Sequence, residues 1–286
     1  MNSFDSNKGY VDLLLSGDVE KAEKIRKSLV PQKLIKFVPL GPSKHGDSET
    51  ANESKRDKRN LDTLQRGNVW FSKKVLLNDP YEFQGMILER DALRDTGCSE
   101  HQIDFFDHLL NGNENRLSVY SLSANTPDCL PMWTYYANNC QGFCIEFDVL
   151  IPDYIFEVHY TSKRIPVTLI LLNLYDAHIR SLEGDIEAEK EFQSLVHFQA
   201  LQYRIKHKSW MHENEYRVLY PVESDECGKE LPFSAFGVKV SRIIAGINCS
   251  EDNLLRLNDI SNSFGCGNAK RMRIRENDYT LVEDAQ

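Results

Sequence analysis

No run in this 286-residue chain is long and apolar enough to cross a bilayer. The longest strongly apolar stretch, Val167 to Leu172, falls far short of the ~20 residues a spanning helix needs. The first residues, Met1 to Lys8, are mostly polar and include Asp5, unlike the basic start and apolar core of a secretory signal. The 7 cysteines are odd in number and stand at 98, 129, 140, 144, 227, 249 and 266, without the spacing of a disulfide framework. These absences point to a reduced, cytoplasmic protein with no membrane partner. Positive charge is also scarce: 34 Lys and Arg face 43 Asp and Glu, a net charge of −9. That balance argues against broad affinity for nucleic acid, which remains a partner only as a modified acceptor. There is no internal repeat, no βαβ rhythm and no G-x-S-x-G elbow. Gly265 to Lys270 lacks the spacing and the Ser or Thr of a phosphate loop.

Metal-ligand spacing is weak too. Cys140 and Cys144 are four apart, but they flank a turn and enter a strand, where four residues span roughly 13 Å. His207 and His212 straddle an expected helix-to-strand break. No metal is expected.

What the chain does have is enough apolar material, 41%, for a sizeable core, with 27% charged residues suiting a globular protein. Residues 9 to 29 carry apolar side chains at helical spacing. Gly41 to Arg59 is polar and charged, which predicts a mobile loop near residues 41–59. The Gln84–Leu93 and Ser99–Leu110 patterns predict helices, the second capped by Ser99. Phe143, Ile145, Phe147 and Val149 alternate with Cys144, Glu146 and Asp148, a period of two that predicts a strand. Two helices over about 167–182 and 185–206 follow, and a helix over 251–264 precedes short final strands. The intermixing predicts an α+β fold of mixed, largely antiparallel sheets flanked by helices. It predicts a helical extension over residues 1–30 and a single α+β domain over 31–286.

The densest chemistry lies between Lys206 and Tyr220. A basic turn and Trp210 lead into Glu213-Asn214-Glu215-Tyr216-Arg217. On one continuous strand, Glu213, Glu215 and Arg217 would share a face. Two acids and a base cost desolvation energy if buried for packing alone, so a site explains them better than a core. The competing reading is an exposed edge strand with an ordinary ion pair. In Asn78-Asp79-Pro80-Tyr81-Glu82, Asn78 and Asp79 read as turn residues and Glu82 is left open. Tryptophans more often fill cores than bind ligands. Arg271, Arg273 and Arg275 read as solvated or paired with nearby acids.

Four segments in order resemble the bacterial domain-of-unknown-function family 2971: Asn68–Ser72 with Leu77–Glu82, Val119–Ser123, Met132–Asn138 with Gly142–Asp148, and Lys206–Arg217. The likeness runs from about Leu34 to Tyr220, and the family label implies no established activity. A more distant likeness is to ADP-ribosyltransferases. That fold presents a basic or histidine residue on its first strand, Ser-x-Ser on a central strand and Glu-x-Glu on a later one. Lys36, Ser121-x-Ser123 and Glu213-x-Glu215 occur here in that order.

The resemblance implies an NAD-using enzyme, which transfers ADP-ribose to an unknown macromolecular acceptor or hydrolyses the dinucleotide. The family context further implies a toxin or anti-phage effector. Breaking the ribose–nicotinamide bond builds positive charge on the sugar, and a carboxylate aimed at that charge stabilises the transition state selectively. In this reading Glu215 is the catalytic acid and Glu213 positions it or polarises an acceptor. Arg217 holds Glu213 ionised or meets a phosphate, and Lys36, Ser121 and Ser123 contact the cofactor. Trp133 and Tyr136, at i and i+3 of a helix, offer a flat surface for a base. Two other readings stay open: a non-enzymatic nucleotide or peptide sensor, and a metal-dependent nuclease.

Overall fold

The computed structural model describes residues 8–41, 50–112, 114–223 and 225–284. The fold is mixed α+β, with an open, largely antiparallel sheet flanked by helices. The strands in chain order are β1 (Lys33–Val38), β2 (Asn68–Lys73), β3 (Met86–Ile87), β4 (Leu117–Ser123), β5 (Phe143–Val149), β6 (Phe156–Glu157) and β7 (His159–Thr161). There follow β8 (Ile165–Pro166), β9 (Ile205–His207), β10 (Glu215–Pro221), β11 (Gly228–Pro232), β12 (Val238–Ala245), β13 (Lys270–Ile274) and β14 (Leu281–Glu283). The main sheet runs β11-β2-β4-β1-β5-β12-β13-β14, with β10 on β4 and β6 on β10.

The β4 strand organises everything that follows. Along one edge it pairs with β10 over its whole length, Glu215 opposite Ser123 and Pro221 opposite Leu117. A strand has only two edges, so the other serves two neighbours. The β2 strand takes its start, at Ser118 and Val119, and β1 takes its end, at Ser123. Between those contacts the sheet forks.

Period-two patterning decides which faces are dry. Tyr120 and Leu122 of β4, Tyr216 and Val218 of β10 and Phe143, Ile145 and Phe147 of β5 are all buried in one apolar cluster. Helix α3 (Thr50–Gln65) lies against it through Leu61 and Leu64. That helix begins inside the stretch expected to be a mobile loop. Residues 42–49 of the expected loop fall outside the described residues. Gly67 follows the helix with φ +75°, as a left-handed helix end requires.

A second cluster is helical. Expected as one helix over 9–29, the N-terminal region forms α1 (Lys8–Leu15) and α2 (Val19–Ser28), broken at Gly17 with φ +84°. Tyr10, Leu14 and Ala22 from this region are buried with Phe106 and Leu110, and with Leu171, Leu174, Leu195 and Phe198. The latter come from the helices Glu100–Asn111, Thr168–Leu182 and Ile186–Gln199. Ser99 caps the first of these in a full capping box. The expected helix over 84–93 is instead the short strand β3 followed by a helix at Arg90–Asp95.

Candidate functional site

The register of β4 and β10 places Ser123 opposite Glu215 and Ser121 opposite Arg217. Directly opposed residues on antiparallel strands project to the same face, so these four side chains share the face away from the Tyr216 and Val218 core. Next to it, in the fork, lies a cavity of about 200 Å³. Its walls include Lys36, Ser121, Ser123, Tyr136, Glu213, Glu215 and Arg217. Segments from four distant parts of the chain meet there.

Glu213 reaches the cavity by a different route from the one expected. It ends a 3-10 turn, Lys208–Glu213, and Asn214 follows in the left-handed region with φ 45° and ψ 55°. Strand β10 begins only at Glu215. The left-handed residue reverses local alternation, so the two carboxylates converge without lying on one strand.

The charges are tightly knit. The Arg217 guanidinium, 1% exposed, donates to both Glu215 carboxylate oxygens at 2.9 and 3.0 Å. It also donates to Glu82 at 2.5 Å and to the Tyr203 carbonyl at 2.7 Å. Lys206 Nζ lies 2.6 Å from Glu213 and 3.0 Å from Glu215. Ser121 adds a side-chain hydrogen bond to Glu215, and the Glu215 N–H donates to the Tyr160 hydroxyl at 2.9 Å. The Tyr136 hydroxyl donates to Glu213 and also hydrogen-bonds Asn78.

The two glutamates therefore titrate apart. Burial pushes the Glu215 carboxyl up, but Arg217 and Lys206 outweigh it and hold Glu215 below the usual carboxylate range. Burial, aided by the charge of Glu215 and only partly opposed by Lys206, raises the Glu213 carboxyl. Lys36 is the third unusual group. Its ammonium donates to the Ser121 carbonyl at 2.9 Å and lies 5.0 Å from the centre of the Tyr120 ring. Burial, against the pull of Glu215 and Glu213, pushes it down to about 8. Separated titrations in one cleft are characteristic of acid–base sites.

Three expected roles change. Trp133 is fully buried and stacks edge-on against Phe37 at 5.1 Å, and its indole N–H donates to the Pro127 carbonyl. It is core and offers no surface to a base, while Tyr136, one turn on, does line the cavity. Ser123 lines the cavity too, but its hydroxyl donates to the Glu213 carbonyl at 2.6 Å and accepts from the Asn125 N–H. It fixes the turn that carries Glu213. Nor does Arg217 pair with Glu213; its carboxylates are Glu215 and Glu82.

Lys206, Glu82 and Asn78 belong to the site without having been assigned to it. Lys206 looked like part of a basic helix end, yet the helix stops at Gln199 and Lys206 stands on β9. Among the described residues, no three His, Cys, Asp or Glu side chains group so as to hold a metal ion. Among them too, no helix is long and apolar enough to cross a membrane.

Residues 132–218 match the model of a family described as a protein of unknown function, DUF2971. The match covers the helix carrying Tyr136, strand β5 and the Lys206–Arg217 segment, a shorter span than the Leu34–Tyr220 likeness read from the sequence. No curated protein and no solved structure matches the chain.

Proposed function

We propose that the cavity in the sheet fork is the active site of an NAD-using enzyme of ADP-ribosyltransferase type. The observation carrying this reading is the convergence of Lys36, Ser121, Tyr136, Glu213 and Glu215 on one cavity. In the reaction the bond between ribose C1′ and the nicotinamide nitrogen breaks, and nicotinamide leaves with the electron pair. C1′ gains a bond to an acceptor nucleophile, or to water. Glu215, held ionised by its cationic partners, supplies fixed negative charge beside the developing oxocarbenium. Glu213, whose carboxyl burial raises above the usual carboxylate range, takes the proton that the nucleophile loses. Tyr136 orients Glu213 through their hydrogen bond.

Nicotinamide release from NAD, with cell extract supplied as acceptor, tests the reading. The parent protein is expected to release it, and Glu215→Gln to lower the rate by about 10²–10³-fold when assayed below the variant's own unfolding transition, which loss of the buried pairing with Arg217 and Lys206 brings down. No release by the parent protein sinks the enzymatic reading.

A second reading, a non-enzymatic binding module, draws on one specific observation. Every cavity carboxylate already has protein partners, so the network is as complete as a rigid recognition surface requires. In that case Glu215→Gln alters ligand affinity with no turnover to lose.

A further inference from the structure

The fork cavity, at about 200 Å³, is smaller than the ~300–1,000 Å³ typical of small-molecule sites. It has room for one end of a dinucleotide. A second cavity, of about 510 Å³, lies behind Lys206, which lines both. The segment 76–82 also contributes to both: Leu76, Leu77, Asn78 and Glu82 line the first, Asp79, Pro80 and Tyr81 the second.

Against a chain of net charge −9, this second cavity is locally basic. Lys163, Arg164 and Lys206 line it, with Asp79 as its one acid. Neither Lys163 nor Arg164 has a carboxylate within ion-pair distance among the described residues, and Arg164 donates only to the Gln84 side chain, at 3.2 Å. Two aromatic rings complete the walls. The Arg164 guanidinium lies 5.2 Å from the Tyr81 ring centre, and Lys206 Nζ lies 5.2 Å from that of Trp210. Lys206 is already held by Glu213 and Glu215, so Lys163 and Arg164, with hydroxyl neighbours such as Ser209, are the cations suited to phosphate oxygens, and the exposed Tyr81 ring with the half-buried Trp210 ring suits a nucleobase.

We infer that this second cavity binds the nucleoside 5′-phosphate half of the substrate whose other end enters the fork. The inference rests on the reading of the fork cavity as an NAD site, and its chemistry would equally accept a separate nucleoside phosphate.

Calorimetric titration of the full chain with ADP, alongside NAD turnover in the presence of ADP, separates these cases. ADP is expected to bind, Arg164→Glu to weaken it by about tenfold or more, and Arg164→Lys to weaken it less. Arg164 is exposed, so neither change threatens folding. ADP is also expected to inhibit nicotinamide release competitively with NAD. No ADP binding, or binding untouched by both Arg164→Glu and Tyr81→Ala, overturns the inference even if NAD is cleaved. ADP that binds without competing overturns the assignment to the same substrate. Arg164-dependent binding in a protein that cleaves no NAD keeps the nucleoside-phosphate site while the glycosyl-transfer reading falls.

Discussion

Two acid-x-acid pairs in this protein look alike in sequence and end in different physical situations. Glu146-x-Asp148 lies on strand β5, where Lys33 meets Glu146 at 2.6 Å and Asp148 at 3.1 Å, and Arg242 meets Glu146 at 2.8 Å. Burial pushes Glu146 up, but Arg242 and Lys33 win and bring it down to about 2. Its cationic partners are open to water: the Lys33 side chain is 57% exposed and that of Arg242 36%. Glu213-x-Glu215 also meets one lysine and one arginine, but the Lys206 and Arg217 side chains are 8% and 1% exposed. Water can replace a lost partner in the first cluster and cannot in the second. The first is therefore a surface clasp between strands. The second keeps groups whose protonation is displaced in both directions, because charges interact far more strongly away from solvent.

Removing each arginine gives the sharpest contrast. Arg217→Met strands Glu82 and leaves Glu215 with Lys206 in a dry site, and is expected to cost about 3–5 kcal/mol. Arg242→Met leaves Glu146 with Lys33 and nearby solvent and is expected to cost about 1 kcal/mol or less. Urea unfolding of both variants measures the difference, and equal losses would mean that the two clusters do not differ as described.

A smaller effect appears on the alkaline side. Lys36 has a folded value near 8 against an ordinary 10.5, so between those values the unfolded chain binds the extra proton and stability rises with pH. Its residue surface is only partly buried, so the expected rise is on the order of 1–2 kcal/mol. Comparing Lys36→Met with the parent across pH 8–10.5 isolates it: the variant should lack that part of the rise, and parallel curves would contradict the assignment.

The smallest effect lies at the acid end. The stability Glu146 contributes is complete above its ordinary value of 4.5 and is lost as pH falls through about 2. Glu146→Gln should flatten this limb by on the order of 1 kcal/mol and leave nicotinamide release unaltered. A fall in turnover would tie the two clusters together.

Much of the fold was legible because its signals are local. The β5 alternation, the Ser99 capping box and the helix beginning after Ser250 all depend on near neighbours along the chain. Arg271, Arg273 and Arg275, expected to be solvated or paired, meet Glu251, Asp284 and Asp278. The misreadings came where tertiary contacts override propensity. Residues 50–59 are polar enough for a loop, yet they form a helix whose Leu61 and Leu64 bury against the sheet. The 185–206 pattern reads as one helix, although its last residues unwind so that Lys206 can pair on β9 with two glutamates.

The site divides in the same way. Residue types and their order along the chain were enough to single out Lys36, Ser121, Ser123, Tyr136, Glu213, Glu215 and Arg217. Sequence could not separate Trp133, which is core, from Tyr136, which lines the cavity. That depends on which side of one helical turn meets Phe37.

By itself, the sequence determined segments such as strand β5 and the helix after Ser250, because period-two and period-3.6 burial patterns are written in neighbouring residues. It also marked Glu213, Glu215 and Arg217 as candidates, since charged groups are costly to bury for packing alone. Only the tertiary structure decided where the charge would be dry. That depends on β4 sharing one edge between β2 and β1 and on a left-handed Asn214 turning Glu213 toward Lys206. Both are long-range geometric facts, and the desolvation that raises Glu213 and lowers Lys36 exists only once distant segments have closed around the space.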